Sequence, residues 1–101
     1  MSAWFDDSSE QAKAHESVTK KDALLSDEDV ANAGAYEADK KWHEQVGESG
    51  KPANHIEAME ILKGFSHPFI DQESHLVPSI DADNAKKICE RILEQAVAQE
   101  Y

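Results

Sequence analysis

Residues 26–46 read SDEDVANAGAYEADKKWHEQV, and the spacing of their small and apolar side chains decides the fold class. Ser26 offers a hydroxyl to the free backbone N–H groups of a helix start, and Asp27, Glu28 and Asp29 follow where the helix dipole favours acid. Ala31, Ala35, Ala38, Trp42 and Val46 then recur at intervals of three and four, the period of one helical face. A stripe of alanines lets a second helix approach closely, and Trp42 fills the space at its end. Gly47-Glu48-Ser49-Gly50-Lys51-Pro52 is the clearest breaker in the chain.

Working outward, Ser8 or Ser9 caps an earlier helix, with Glu10 and Gln11 in its first turn. Its apolar positions, Ala12, Ala14 and Val18, are few, so this helix, running to about Lys21, needs tertiary support. On the other side, a third helix opens near Ala53 or Asn54 and carries Ile56, Met59, Leu62, Phe65, Phe69 and Ile70. Pro68 lacks an N–H and crowds the preceding turn, and Gly64 weakens the same region, so the pattern predicts a kink or break there. Ser74 to Ile80, with Pro78, reads as a loop. Asp81 or Asp83 caps a last helix whose Ala85, Ile88, Cys89, Ile92, Ala96 and Val97 face the core. No stretch alternates with the period of a strand. The expectation is an all-α chain, four to five helices in one compact bundle-like domain over residues 1–101.

The 101 residues leave room for one modest core, so association with a second copy would add useful burial. Ten basic residues against 21 acidic ones give a net charge of -11. That balance repels nucleic acid and anionic membranes, and no apolar run is long enough to span a bilayer. The opening residues lack the basic and apolar regions of a secretory signal, and a single cysteine fits a reducing compartment. A cytoplasmic protein is expected.

No phosphate loop, nucleophile elbow, His-Glu-x-x-His or paired-cysteine spacing occurs, so no catalytic residues are assigned and a non-enzymatic role is expected. Cys89, between Ile88 and Ile92, reads as a core residue. The histidines invite two readings. His67, Asp71 and His75 are successively four apart, as are Asp39 and His43, and imidazole with carboxylate at that spacing can reach one divalent ion. The competing reading is a solvated surface. His55 is either a ligand group or a side chain that holds the preceding loop by hydrogen bonds. Trp4, Trp42 and Phe65 either fill the core or wall a cleft for a flat aromatic or pigment ligand, oriented by a histidine. Trp4, so near the start, must dock on its own domain, on a partner or on a ligand.

Trp4-Phe5-Asp6 followed by Ser9-Glu10-Gln11-Ala12 resembles the start of the CipC-like family of fungi, named for concanamycin-induced protein C. The likeness continues at Gly50-Lys51-Pro52, His55, Ala58, Glu60, Leu62, Gly64, Phe65, Ile70 and Asp71. It closes at Ile80-Asp81 and Ala85-Lys86. Members commonly carry a histidine where this chain has Asp27, and the loop from Asp71 to Asp81 is slightly shorter here. The resemblance implies a helical, intracellular protein linked to antibiotic or stress responses. Small acidic, dimeric pigment-carrying proteins of mushrooms are a neighbouring class that the composition tolerates. Two functions therefore compete: a stress-associated homodimer acting through protein contacts, and a binding module for a pigment or aromatic metabolite, with or without a divalent metal ion, at a dimer interface.

Overall fold

The computed structural model describes residues 4–6, 8–20 and 25–101. Four α-helices follow one another among them: α1 (Glu10–Thr19), α2 (Asp27–Ser49), α3 (His55–Leu76) and α4 (Ala82–Ala98). No strand occurs among the described residues. Each helix starts on a side chain that accepts from its first turn: Ser9 from Ala12, Ser26 from Asp29, Asn54 from Glu57 and Asp81 from Asn84. At α2 the cap is reciprocal, because the Asp29 carboxylate accepts the Ser26 N–H at 2.9 Å. Gly50, at φ +83°, ends α2 in a conformation that residues with a Cβ rarely adopt.

α2 is the centre of the bundle and packs on each of the other three helices, while α3 and α4 also pack on each other. Val30, Ala31, Asn32, Ala33, Gly34 and Ala35 are consecutive and all buried, so α2 is enclosed on every side there. The apolar stripe accounts for only part of this, since Ala33 and Gly34 lie off it. Gly34 marks the closest approach: a Cβ placed on it would lie 3.0 Å from Ile70 Cγ1 and 3.6 Å from Cys89 Sγ. Around this point α3 contributes Leu62, Ser66 and Ile70, and α4 contributes Ala85, Cys89, Leu93 and Val97.

Three expectations are corrected. α3 runs unbroken through Pro68 and on to Leu76, three residues into the expected loop. The carbonyl that loses its donor to Pro68, and that the ring crowds, belongs to Gly64. Both residues are exposed and open space surrounds Gly64, so water can serve that carbonyl while packing elsewhere holds the helix. On α4, Leu93 is fully buried, whereas Ile88, Ile92 and Ala96 are half-buried. α1 ends at Thr19; Lys21 lies outside the described residues.

α1 buries only Ala14 and Val18, and polar groups supply the rest of its attachment. The Gln11 amide donates to Asn32 Oδ1 at 3.0 Å, and His15 Nε2 lies 3.0 Å from Glu37 Oε1. The His15 ring also sits 5.0 Å from Tyr36 and 5.7 Å from Phe69, centroid to centroid. Partial burial pushes the Glu37 carboxyl up, but His15 and Lys41 outweigh it and hold Glu37 below the usual carboxylate range.

The two central glycines should respond in opposite ways to alanine. Gly34→Ala gains about 1 kcal/mol of helix propensity, but overpacking against Ile70 costs about 1–3 kcal/mol, so net destabilisation is expected. Gly64→Ala meets no neighbour and should stabilise by about 0.5–1 kcal/mol. Urea unfolding of both variants measures the contrast.

Candidate functional site

The carboxylate of Asp39 is fully buried in the middle of α2. Helical geometry places His43 one turn further on, where its Nδ1 hydrogen-bonds the Asp39 backbone carbonyl at 2.9 Å and lies 2.8 Å from Asp39 Oδ1. The segment before α1 folds back over this pair. Its backbone delivers two donors to the carboxylate: the Trp4 N–H reaches Asp39 Oδ1 at 3.2 Å, and the Phe5 N–H reaches Oδ2 at 3.1 Å. Two backbone donors on one buried carboxylate, with the His43 ring beside it, offset its loss of water. Asp39 therefore acts as a clasp for the N-terminal arm.

The arm's side chains complete the closure. The Trp4 ring lies 5.5 Å from the Trp42 ring, tilted by 31°, and meets the His43 ring edge-on at 5.1 Å. Trp4 Nε1–H donates to Glu100 Oε1 at 3.0 Å, which ties the arm to the residues following α4. Beneath it Trp42 is 1% exposed. Burying a tryptophan removes about 150–250 Å² from water, an upper bound of about 4–6 kcal/mol.

Of the expected ligand-binding residues, the structure brings Trp4 and Trp42 together and sets Asp39 and His43 beside them. Phe65 is elsewhere: it lines a shallow depression with Lys41, Glu44, Gln45 and Glu48. His55 opens α3, half-buried, with no hydrogen-bond partner among the described residues. The loop before it is held from the other end of the chain, where the Tyr101 hydroxyl donates to the Pro52 carbonyl at 2.8 Å. Lys51 lies 4.9 Å from the Tyr101 ring centroid and 3.5 Å from Glu100. Glu100 and Tyr101 went unnoticed in the sequence because they lie beyond the last helix and match no motif.

The expected metal residues take separate partners. His67 reaches Glu90 of α4 at 3.1 Å, and Asp71 pairs with Lys86 at 2.7 Å. His75 is exposed near the end of α3. Among the described residues, no three His, Cys, Asp or Glu side chains converge on a point that could hold a metal ion. Cys89 is buried between α2 and α3, and burial pushes its thiol up to about 12, so it stays protonated at neutral pH. The neighbouring Ser66 hydroxyl acts in the opposite direction, without reaching good hydrogen-bond geometry itself.

Asp27, at the position where the resembled family commonly has histidine, also has a structural task. Its carboxylate accepts the Asp81 N–H at 2.8 Å and the Asn84 amide at 3.0 Å, clamping the start of α4 to the start of α2. Both interactions require an acceptor with two oxygens, which aspartate supplies.

The arm also forms one wall of a groove of about 500 Å³, lined by Trp4, Phe5, Gln11, Ile92, Gln95, Ala96, Gln99 and Glu100. Clasp and groove are therefore mechanically joined. Asp39→Ala should release the arm, red-shift tryptophan emission and cost at least about 2 kcal/mol, since buried donors lose their acceptor. Fluorescence and urea unfolding of that variant check this; a wild-type emission spectrum would show that the clasp does not hold the arm.

The model of one protein family, described as virulence factor CipC-like, matches residues 8–100. No curated protein and no solved structure matches the chain. With nearly its whole length matched from Ser8 in the arm through all four helices to Glu100, the chain belongs to the CipC-like virulence factor family.

Proposed function

We propose that this protein is a non-enzymatic, stress-associated acidic protein of the cytoplasm that acts through self-association and protein contacts, as a homodimer. One observation carries the reading: the flat group stacked near Trp42 is the chain's own Trp4, pinned there by Asp39 and Glu100. A recess closed by its own chain favours a packing role for these aromatics. Two of the histidines that the sequence offered for chemistry lean the same way, with His43 and His67 each beside a carboxylate of the fold. What remains open is a surface on which half-buried isoleucines lie without cover, and such surfaces suit macromolecular contact. Sedimentation velocity at micromolar concentration tests this: a dimer is expected, and a monomer throughout would refute it.

A second reading has its own support. The groove beside Trp4 and Phe5 falls within the size range of small-molecule sites, and the Gln11, Gln95 and Gln99 side chains on its walls can orient a polar ligand. An aromatic metabolite or pigment, with a divalent metal ion near Asp39 and His43, would make the chain a binding module. The absorption spectrum and metal content of purified protein decide it. A visible chromophore or a stoichiometric metal supports binding; colourless, metal-free protein leaves only the contact role.

A further inference from the structure

The outer face of α4 carries two features that the bundle does not use. The first is apolar. Ile88, Ile92 and Ala96 recur every four residues beside the core stripe of Ala85, Cys89, Leu93 and Val97, yet each stays half-buried. They line two adjoining hollows of about 500 and 380 Å³ that share Ile92 and Gln95. The arm, α1 and Glu28 of α2 wall this trough, which follows α4 for most of its length.

The second feature is a pair of charges without partners. Arg91, the chain's sole arginine, and Glu94 are exposed at the edge of the trough. Neither has an ion pair or a side-chain hydrogen bond among the described residues. On a chain of net charge -11, a surface for a second copy must avoid repulsion. This face does so. Glu100 is already met by Lys51, and Arg91 offsets Glu94, which leaves Glu28 as the remaining charge on the rim.

We infer that this trough is the surface on which two copies meet, with α4 crossing α4 of the second copy antiparallel about a two-fold axis near Ile92; this rests on the self-association reading above. Ile92 lies midway between Ile88 and Ala96 in the sequence. An antiparallel crossing there sets Ile92 against its own counterpart and Ile88 against Ala96 of the second copy. The same operation brings Arg91 alongside Glu94 of the second copy, and symmetry makes that contact twice. A parallel two-fold arrangement would instead set the two Arg91 side chains level on opposite flanks and pair neither Arg91 nor Glu94.

Charge reversal in the full chain tests the arrangement by sedimentation equilibrium. Arg91 and Glu94 are exposed, so Arg91→Glu and Glu94→Arg should keep the fold, which circular dichroism verifies. Each single change places like charges together twice and should weaken self-association at least about tenfold. The double variant Arg91→Glu/Glu94→Arg exchanges the partners and should return to within about threefold of wild type. Wild-type dimers indifferent to both single changes would overturn the α4 contact while leaving self-association standing. Single variants that weaken without rescue in the double would overturn the antiparallel pairing. A wild-type protein that stays monomeric would overturn this inference and the self-association reading together.

Discussion

Around Gly34 three helices come closer than side chains much larger than alanine permit. Ile70 of α3 and Cys89 of α4 crowd the place where a Cβ would stand, and Ala31, Ala33, Ala35 and Ala38 lie close by on α2. Small residues contribute little apolar area of their own. They let the neighbouring helices bring in Leu62, Ile70, Leu93 and Val97, which supply the burial that α2 cannot. The composition of α3 and α4 follows from this. Ile70 itself fills the space that the missing Cβ leaves open, with the small Cys89 thiol beside it.

A second consequence is that α1 and the arm are attached largely by polar contacts. The chain is rich in acid and short of cations, so many carboxylates find backbone N–H groups instead of ammonium groups. Asp29 accepts at the start of α2, Asp81 at the start of α4, Asp27 across those two starts, and Asp39 from the arm. Helix starts offer free donors and a favourable dipole, so acid placed there stabilises structure without a partner of opposite charge. Asp39 extends the same principle to a segment that is not helical. Its burial makes the contact selective, because no water can replace the arm without entering the core.

The clasp and the outer face of α4 are parts of one arrangement. Trp4 and Phe5 hang from Asp39 on one side and wall the trough on the other, while Glu100 joins the arm to the end of the chain. The position of the arm therefore shapes the surface available to a partner. Through that mechanical link, a residue buried in α2 bears on the shape of the outer surface.

The helical fold class, the Ser26 cap and the stripe of α2 were legible in residues 26–46, and the other helix starts to within a residue or two, because caps and periodicity are local properties of a chain. The family was legible too, in an ordered set of short matches. Other features were not local. Pro68 signals a break by its own chemistry, yet α3 continues, since packing against α2 and α4 outweighs one lost hydrogen bond on an exposed face. Asp39 and His43 were visible as a pair, but the donors that occupy Asp39 come from residues 34 and 35 positions away. His67 and Asp71 share a helix face, yet each found its partner on α4. The sequence by itself determined which segments are helical and which faces are apolar. Only tertiary structure decided which carboxylate meets which donor, because that depends on how the helices cross, and the crossing is set by the crowding at Gly34.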